Sequence, residues 1–191
     1  MRTTKARLTP LKDEELDAEQ EAVLAPFRAT NGAIAITRTM ARHASSLKAF
    51  NVLALHVFSS TNNTLTPRDK EILILRTAWL CKSGYEWARH ELLGLRAGVT
   101  PAEVAALKLP IADGGWSERD ATLVATADAL VTDHFVPDAL WAKLTAYFDE
   151  KQCIDAIYAV GLYTMVGMFL NTVGTELDDD VTLDPDLDFR P

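Results

Sequence analysis

Glu71, Ser83, Glu86 and His90 place proton-handling side chains at helical spacings inside a stretch otherwise built to be buried. From Thr66 the chain reads TPRDKEILILRTAWLCKSGYEWARHELLGLRAGVT, where only Arg76 interrupts the apolar run between Glu71 and Cys81 with a charge. At 100° per residue, Glu71 shares an i, i+3, i+4, i+7 stripe with Ile74, Leu75 and Ala78. A carboxylate there is costly unless it is protonated, hydrogen-bonded or paired with a cation. Glu86 and His90, one turn apart, share a semi-apolar face with Leu93 and Ala97, within reach of a common proton or a bridging water. Plain alternatives exist: a surface helix pair for Glu86 and His90, and a structural ion pair of Glu71 with Arg76 or another arginine.

The elements that position these residues are helices. Apolar residues recur at helical intervals, and no stretch shows sustained strand alternation, so the chain is predicted to be all-α. The expected helices run from Asp13 to about Thr30, from Ile34 to His43 after a turn at Asn31-Gly32, and from a cap at Ser45 or Ser46 to about Ser60. Thr66-Pro67-Arg68-Asp69 is a strong start signal, repeated at Thr100-Pro101-Ala102-Glu103 and as a capping box at Ser117. Pro137 opens a helix to about Glu150, and a long apolar helix runs from Gln152 to about Gly174. Helix pairs joined by short turns predict a bundle of antiparallel helical hairpins, one domain over residues 1–175, with an irregular acidic tail at 176–191.

The formal charge of -8 argues against nucleic-acid binding, which needs clustered Lys and Arg. The acid concentrates in Asp13 to Glu21 and Glu176 to Asp188, read here as solvated surface. Cys81 and Cys153 make neither a C-x-x-C pair nor a disulfide framework, and MRTTKARLTPLKDEE lacks the apolar run of a secretory leader. Both point to a reducing, cytoplasmic setting. Ala156 to Thr175 carries no charge over a length that could span a membrane. Gly161, Thr164, Gly167, Asn171 and Thr172 dilute its apolarity, and Asp155 and Glu176 bracket it. The expectation is a helix at the centre of the fold or at a subunit interface, with no membrane involved.

The segment Leu65 to Thr100 resembles the carboxymuconolactone decarboxylase family, which includes the alkylhydroperoxidase D proteins. The resemblance is carried by L-T-P-R-x-K-E-I-L-I-L-R, by Tyr85-Glu86-Trp87 followed by His90, and by Ala97-Gly98-Val99-Thr100. A looser likeness continues through the final apolar helix, giving a family core of about 45–175. In the peroxidase branch a glutamate precedes a C-x-x-C-x-x-x-H motif. The resemblance sets Glu71 on that glutamate, Ser83 and Glu86 on the two cysteines, and His90 on the histidine. Dithiol turnover needs an attacking and a resolving sulfur, and neither position holds one, so thiol peroxidase activity is not expected.

What the resemblance implies instead is a decarboxylase-like carboxy-lyase of aromatic catabolism, acting by acid–base chemistry on a small carboxylated lactone or related acid. His90 would donate the proton, Glu71 would orient or recharge the imidazole, and Glu86 would be a second relay member. Arg76 and Ser83 are the candidate substrate-binding residues, Arg76 for a substrate carboxylate or to neutralise Glu71. An isomerase and a non-catalytic oligomeric binding protein are the alternatives. No organic cofactor or metal is required: Glu86 and His90 are i, i+4 rather than Glu-x-x-His, and no His-Glu-x-x-His occurs. A homo-oligomer, trimer or hexamer, completes the expectation.

Overall fold

The computed structural model describes residues 1–29, 32–59 and 61–190. Its first helix, α1 (Ala18–Arg28), starts where the Asp17 side chain accepts from the Gln20 N–H at 2.8 Å and the Gln20 side chain returns to the Asp17 N–H. The helix therefore begins later than the expected start at Asp13. Asp13–Glu15 form only a 3₁₀ turn, while Asp17 satisfies the free amides of the true first turn. The expected end at Thr30 and the turn at Asn31 lie outside the described residues. α2 (Ala35–Met40) passes through a 3₁₀ turn at Ala41–His43 into α3 (Ala44–Phe58), so neither Ser45 nor Ser46 acts as a cap. The expected end of that helix at Ser60 again lies outside the described residues.

Thr66 caps α4 (Pro67–Leu80), its hydroxyl accepting from the Asp69 N–H at 3.1 Å, a bond of the kind that contributes about 1 kcal/mol. A turn at 81–83 with Lys82 at φ +53° reverses the chain into α5 (Gly84–Arg96). The short α6 (Pro101–Ala106) follows from the Thr100 box. α7 (Glu118–Thr132) starts at Ser117, α8 (Asp138–Tyr147) after Pro137, and α9 (Glu150–Val173) at an Asp149–Gln152 capping box. Gly174, at φ +70°, ends α9 in the left-handed conformation a helix C-cap favours.

The described residues contain no strand, and the fold is an all-α bundle of antiparallel hairpins. α4 is its axis: Ile72, Leu73, Ile74, Leu75 and Ala78 are at most 1% exposed, beneath α5, α7 and α9. α9 is long and apolar enough to cross a membrane by length and composition, yet 56% of its most apolar stretch is buried within the bundle. It serves as a core helix, contacting α3, α4, α5, α7 and α8.

Two parts of the sequence reading change in three dimensions. Arg76, expected to anchor a substrate carboxylate or neutralise Glu71, does neither here. Its guanidinium grips Asp128 through two bonds of 2.6 and 2.9 Å and donates to the carbonyls of Leu107 and Leu109. It thus ties α4 to α7 and to the loop after α6. Arg76→Ala should therefore cost about 2–3 kcal/mol by leaving those acceptors unpaired, read as a loss of urea-unfolding free energy.

The acidic tail is likewise not merely solvated. Asp178 accepts from the Tyr85 hydroxyl at 2.5 Å and the Ala35 N–H at 2.8 Å, Arg89 pairs with Asp178 and Asp180, and Lys108 with Asp184 and Asp186. Leu187, on a 3₁₀ turn, is 1% exposed. Charges that look repulsive in sequence fasten a strap, because Asp178, Asp180, Asp184 and Asp186 find a cation or hydroxyl on the bundle. Residue 1 joins the strap through the Phe189 N–H to Met1 carbonyl bond at 2.8 Å.

Candidate active site

Antiparallel packing of α4 and α5 brings Glu71, in the first half of one, against His90, midway along the other. The Glu71 Oε2 lies 2.8 Å from His90 Nδ1, with both residues buried at 7% and 6% exposure. The imidazole in turn sits between two rings. Tyr163 of α9 meets it edge-on, with centroids 4.7 Å apart at 83°, and Phe58 of α3 lies nearly parallel to it, at 6.2 Å and 18°. A carboxylate on Nδ1 favours the tautomer with hydrogen there, leaving Nε2 as the nitrogen that can take or give a proton.

Glu86 is also inward but is not joined to His90. It is 2% exposed, and neither carboxyl oxygen has a hydrogen-bond partner. Burial drives its pKa well above the usual carboxylate range, opposed only by the nearby Ser83 hydroxyl, which makes no hydrogen bond of regular geometry to it. Burial thus favours the protonated form of Glu86, whose carboxyl has no partner to donate to. Ser83 precedes the first turn of α5, fully buried and unpartnered at its hydroxyl.

Glu86 points across α5 toward α9 and Cys81. A Cβ built on Gly167 would lie 3.3 Å from Glu86 Oε2 and 3.1 Å from Cys81 Cβ, so the missing side chain at 167 is what lets α9 approach this closely. Burial, then the Glu86 charge, push the Cys81 thiol up to about 11, which leaves it protonated and a poor nucleophile.

Of the residues singled out from sequence, the fold brings Glu71 and His90 into direct contact, sets Glu86 and Ser83 in the adjoining buried layer, and carries Arg76 to the other side of α4. Tyr163 and Phe58 were missed. Tyr163 is buried, and burial together with the Glu71 and Glu86 charges drives its phenol well above the ordinary range. In sequence it was one aromatic in an apolar run, and only the packing of α9 on α5 reveals it. Lys70 was missed too. It is buried beside Glu71, with burial lowering its pKa against the pull of Glu71 and Asp155, and its ammonium reaches the Ser59 carbonyl at 3.3 Å. His56 is occupied by Asp155 at 2.7 Å, and Asn171 donates to the Cys81 carbonyl. Among the described residues no three His, Cys, Asp or Glu side chains converge as a metal-binding group.

Residues 44–129 match the carboxymuconolactone decarboxylase family. No curated protein matches the sequence. Among solved structures, an uncharacterised peroxidase-related protein with an alkylhydroperoxidase D core from Ralstonia eutropha JMP134 superposes with a TM-score of 0.76 at 15% identity, covering 92% of this chain and 93% of that one. A peroxidase-related protein from Silicibacter sp. TM1040 gives 0.76 at 12% identity, covering 94% and 95%. The debrominase Bmp8, as a cysteine-to-alanine variant in complex with 2,3,4-tribromopyrrole, gives 0.73 at 14% identity, covering 92% and 94%. At these identities the structures establish a common fold. The α3–α7 core thus resembles the carboxymuconolactone decarboxylase family in sequence, and the chain shares its all-α fold with alkylhydroperoxidase D-like structures.

Proposed function

We propose that the protein is a cytoplasmic proton-transfer enzyme in which His90 moves a proton to or from a carbon of a small unsaturated ring compound, with Glu71 holding the imidazole. The observation that carries this reading is the buried 2.8 Å bond between Glu71 and His90 Nδ1, which directs Nε2 toward a reactant. The buried Glu86 carboxyl, whose protonated form burial favours, supplies a second acid in the same layer. A dithiol reaction has no support, since Ser83 and Glu86 occupy the positions sulfur would need.

Two reactions use such a centre. A proton shift isomerises an unsaturated lactone; a carboxy-lyase releases carbon dioxide and reprotonates the dienolate left behind. The family match favours the second, and the commitment of Arg76 to Asp128 favours the first. Both can be assayed. α-Angelica lactone in deuterium oxide reports isomerisation by ultraviolet absorbance and deuterium uptake, and γ-carboxymuconolactone reports decarboxylation by carbon dioxide release. Turnover of either above the uncatalysed rate supports the centre, and inactivity on both would remove the enzymatic reading in favour of a binding protein.

The same reading includes self-association. Val52 and Leu55 on α3, with Ile154, Ile157, Met165 and Met168 on α9, stand 40–73% exposed and flank the His56–Asp155 bond that joins the two helices. At roughly 200 Å² for a large side chain this is on the order of 650 Å² of apolar surface, more than a monomer ordinarily exposes in one patch and close to what one partner of a stable interface contributes. Its α9 half includes a groove of about 310 Å³ shared with α7. The six exposed side chains of the patch are uncharged and the Asp155 carboxylate between them is buried and paired with His56, so copies of a chain that carries -8 can meet there without exposed like charges. A trimer or hexamer is the proposed assembly. Light scattering should give a multiple of the 21.0 kDa chain, and Met168→Asp should shift it toward monomer.

A further inference from the structure

The approach to His90 is defined by rings and charges. Tyr163 is fixed by burial, but Phe58 is 51% exposed and is the last residue of α3, with Ser59 already leaving the helix at ψ 134°. It is the one member of the aromatic stack placed to swing into solvent, where exposed side chains change rotamer readily. Its ring lies nearly parallel to the imidazole, in the position a flat reactant would take.

The groups around the same point are mainly acidic, and the Glu71 carboxylate is the one held against the imidazole. Glu71 and Glu86 both act on the Tyr163 phenol, and no cation is among the groups acting on Tyr163 or Glu86. Lys70 does feel Glu71, but its ammonium is turned to the Ser59 carbonyl and is shared with the field of Asp155. Arg76 is occupied by Asp128. A reactant carboxylate entering here would be desolvated beside Glu71, and the nearby Lys70 ammonium is already held by the Ser59 carbonyl and by the fields of Glu71 and Asp155, so burial and repulsion oppose it.

We propose that the site takes an uncharged planar ring, which displaces Phe58 and stacks on His90, and that it rejects ring carboxylates. This rests on Glu71–His90 being the acid–base centre, since a ring in the place of Phe58 lies against that imidazole. Decarboxylation of an anionic lactone is then disfavoured, and proton shifts on neutral lactones and related heterocycles are the chemistry the pocket suits.

Benzamide and benzoate provide matched probes, alike in ring and differing in charge. Each is titrated into the full-length protein at pH 7.5 while the His90 imidazole is followed by NMR, its signals identified by their loss in His90→Asn. Benzamide should shift them with an affinity at least about tenfold above that of benzoate. Phe58→Ala, or Phe58→Leu if the first folds poorly, should tighten benzamide several-fold, because no ring has to be displaced, while benzoate stays weak. Equal or tighter benzoate binding overturns the proposal by showing that a cation reaches the site. Absence of any shift at His90 with either probe, in wild type and variants, overturns it as well. Lactone turnover that survives Glu71→Gln would instead defeat the acid–base centre, whatever the probes do.

Discussion

Exchanging His90 for alanine is expected to lower lactone turnover roughly 10²–10⁴-fold, the range that removal of a general acid–base group produces. Glu71→Gln is expected to lose at least about tenfold while keeping the shape of the side chain. The difference lies in which hydrogen the imidazole carries. A carboxylate can only accept, so it favours Nδ1–H and leaves Nε2 open; an amide can also donate to Nδ1 and so stabilise the opposite tautomer. The double variant should be little worse than His90→Ala alone, because Glu71 acts through the imidazole. Rates and thermal midpoints measured together separate chemistry from stability: a variant that melts early and loses activity in proportion would reduce Glu71 to a structural partner.

Glu86→Gln should give the largest change in how stability depends on pH. A carboxyl whose folded pKa lies above its unfolded value holds its proton longer in the native protein. Between the two values the folded state binds more protons than the unfolded chain, so stability falls as pH rises. For Glu86 the decline begins near the unfolded glutamate value of about 4.3 and continues up to its raised folded value. Glutamine is neutral throughout and shows no such decline. Relative to wild type, Glu86→Gln should therefore gain at least about 1 kcal/mol between pH 4.5 and pH 8, since a tenfold difference in proton affinity between the two states corresponds to about 1.4 kcal/mol. Taking the change with pH, rather than the absolute difference, cancels any burial cost of the amide itself. Urea unfolding at several pH values is the measurement, and parallel profiles for the two proteins would mean that Glu86 is ionised or partnered in solution.

The helices were legible because their ends are written in capping chemistry: Thr66, Thr100 and Ser117 each start a helix at the expected place. The miss at Asp13 shows the limit of that reading, since an acidic residue suits the turn before a helix as well as its cap, and the backbone places the cap at Asp17. Glu71 and His90 were recognisable as inward-facing from helical phase, but their contact is a property of the α4–α5 hairpin, and the spacing suggested Glu86 as the partner of His90 instead. Phase along one helix says which way a side chain points and nothing of what it meets. Arg76 illustrates this: five residues from Glu71 in sequence, it belongs to a different face and a different partner. Phe58 and Tyr163 come from elements remote in sequence and carry no motif. The tail misled because charge pattern distinguishes acidic from basic segments but not solvated from paired ones.

That tail has a consequence for what can reach the pocket. A Cβ built on Gly84 would lie 2.6 Å from Leu183 Cδ1 and 2.8 Å from the Met1 backbone nitrogen, so the strap presses directly on the start of α5, next to the fully buried Ser83. A disulfide is reduced by a thiolate that must touch one of its sulfurs. A sulfur at 83 would have no such exposure, whatever stood at 86. Replacing both residues with cysteine would restore the letters of a redox motif without a route for electrons. Position 83 thus offers neither the sulfur nor the opening that thiol exchange would need.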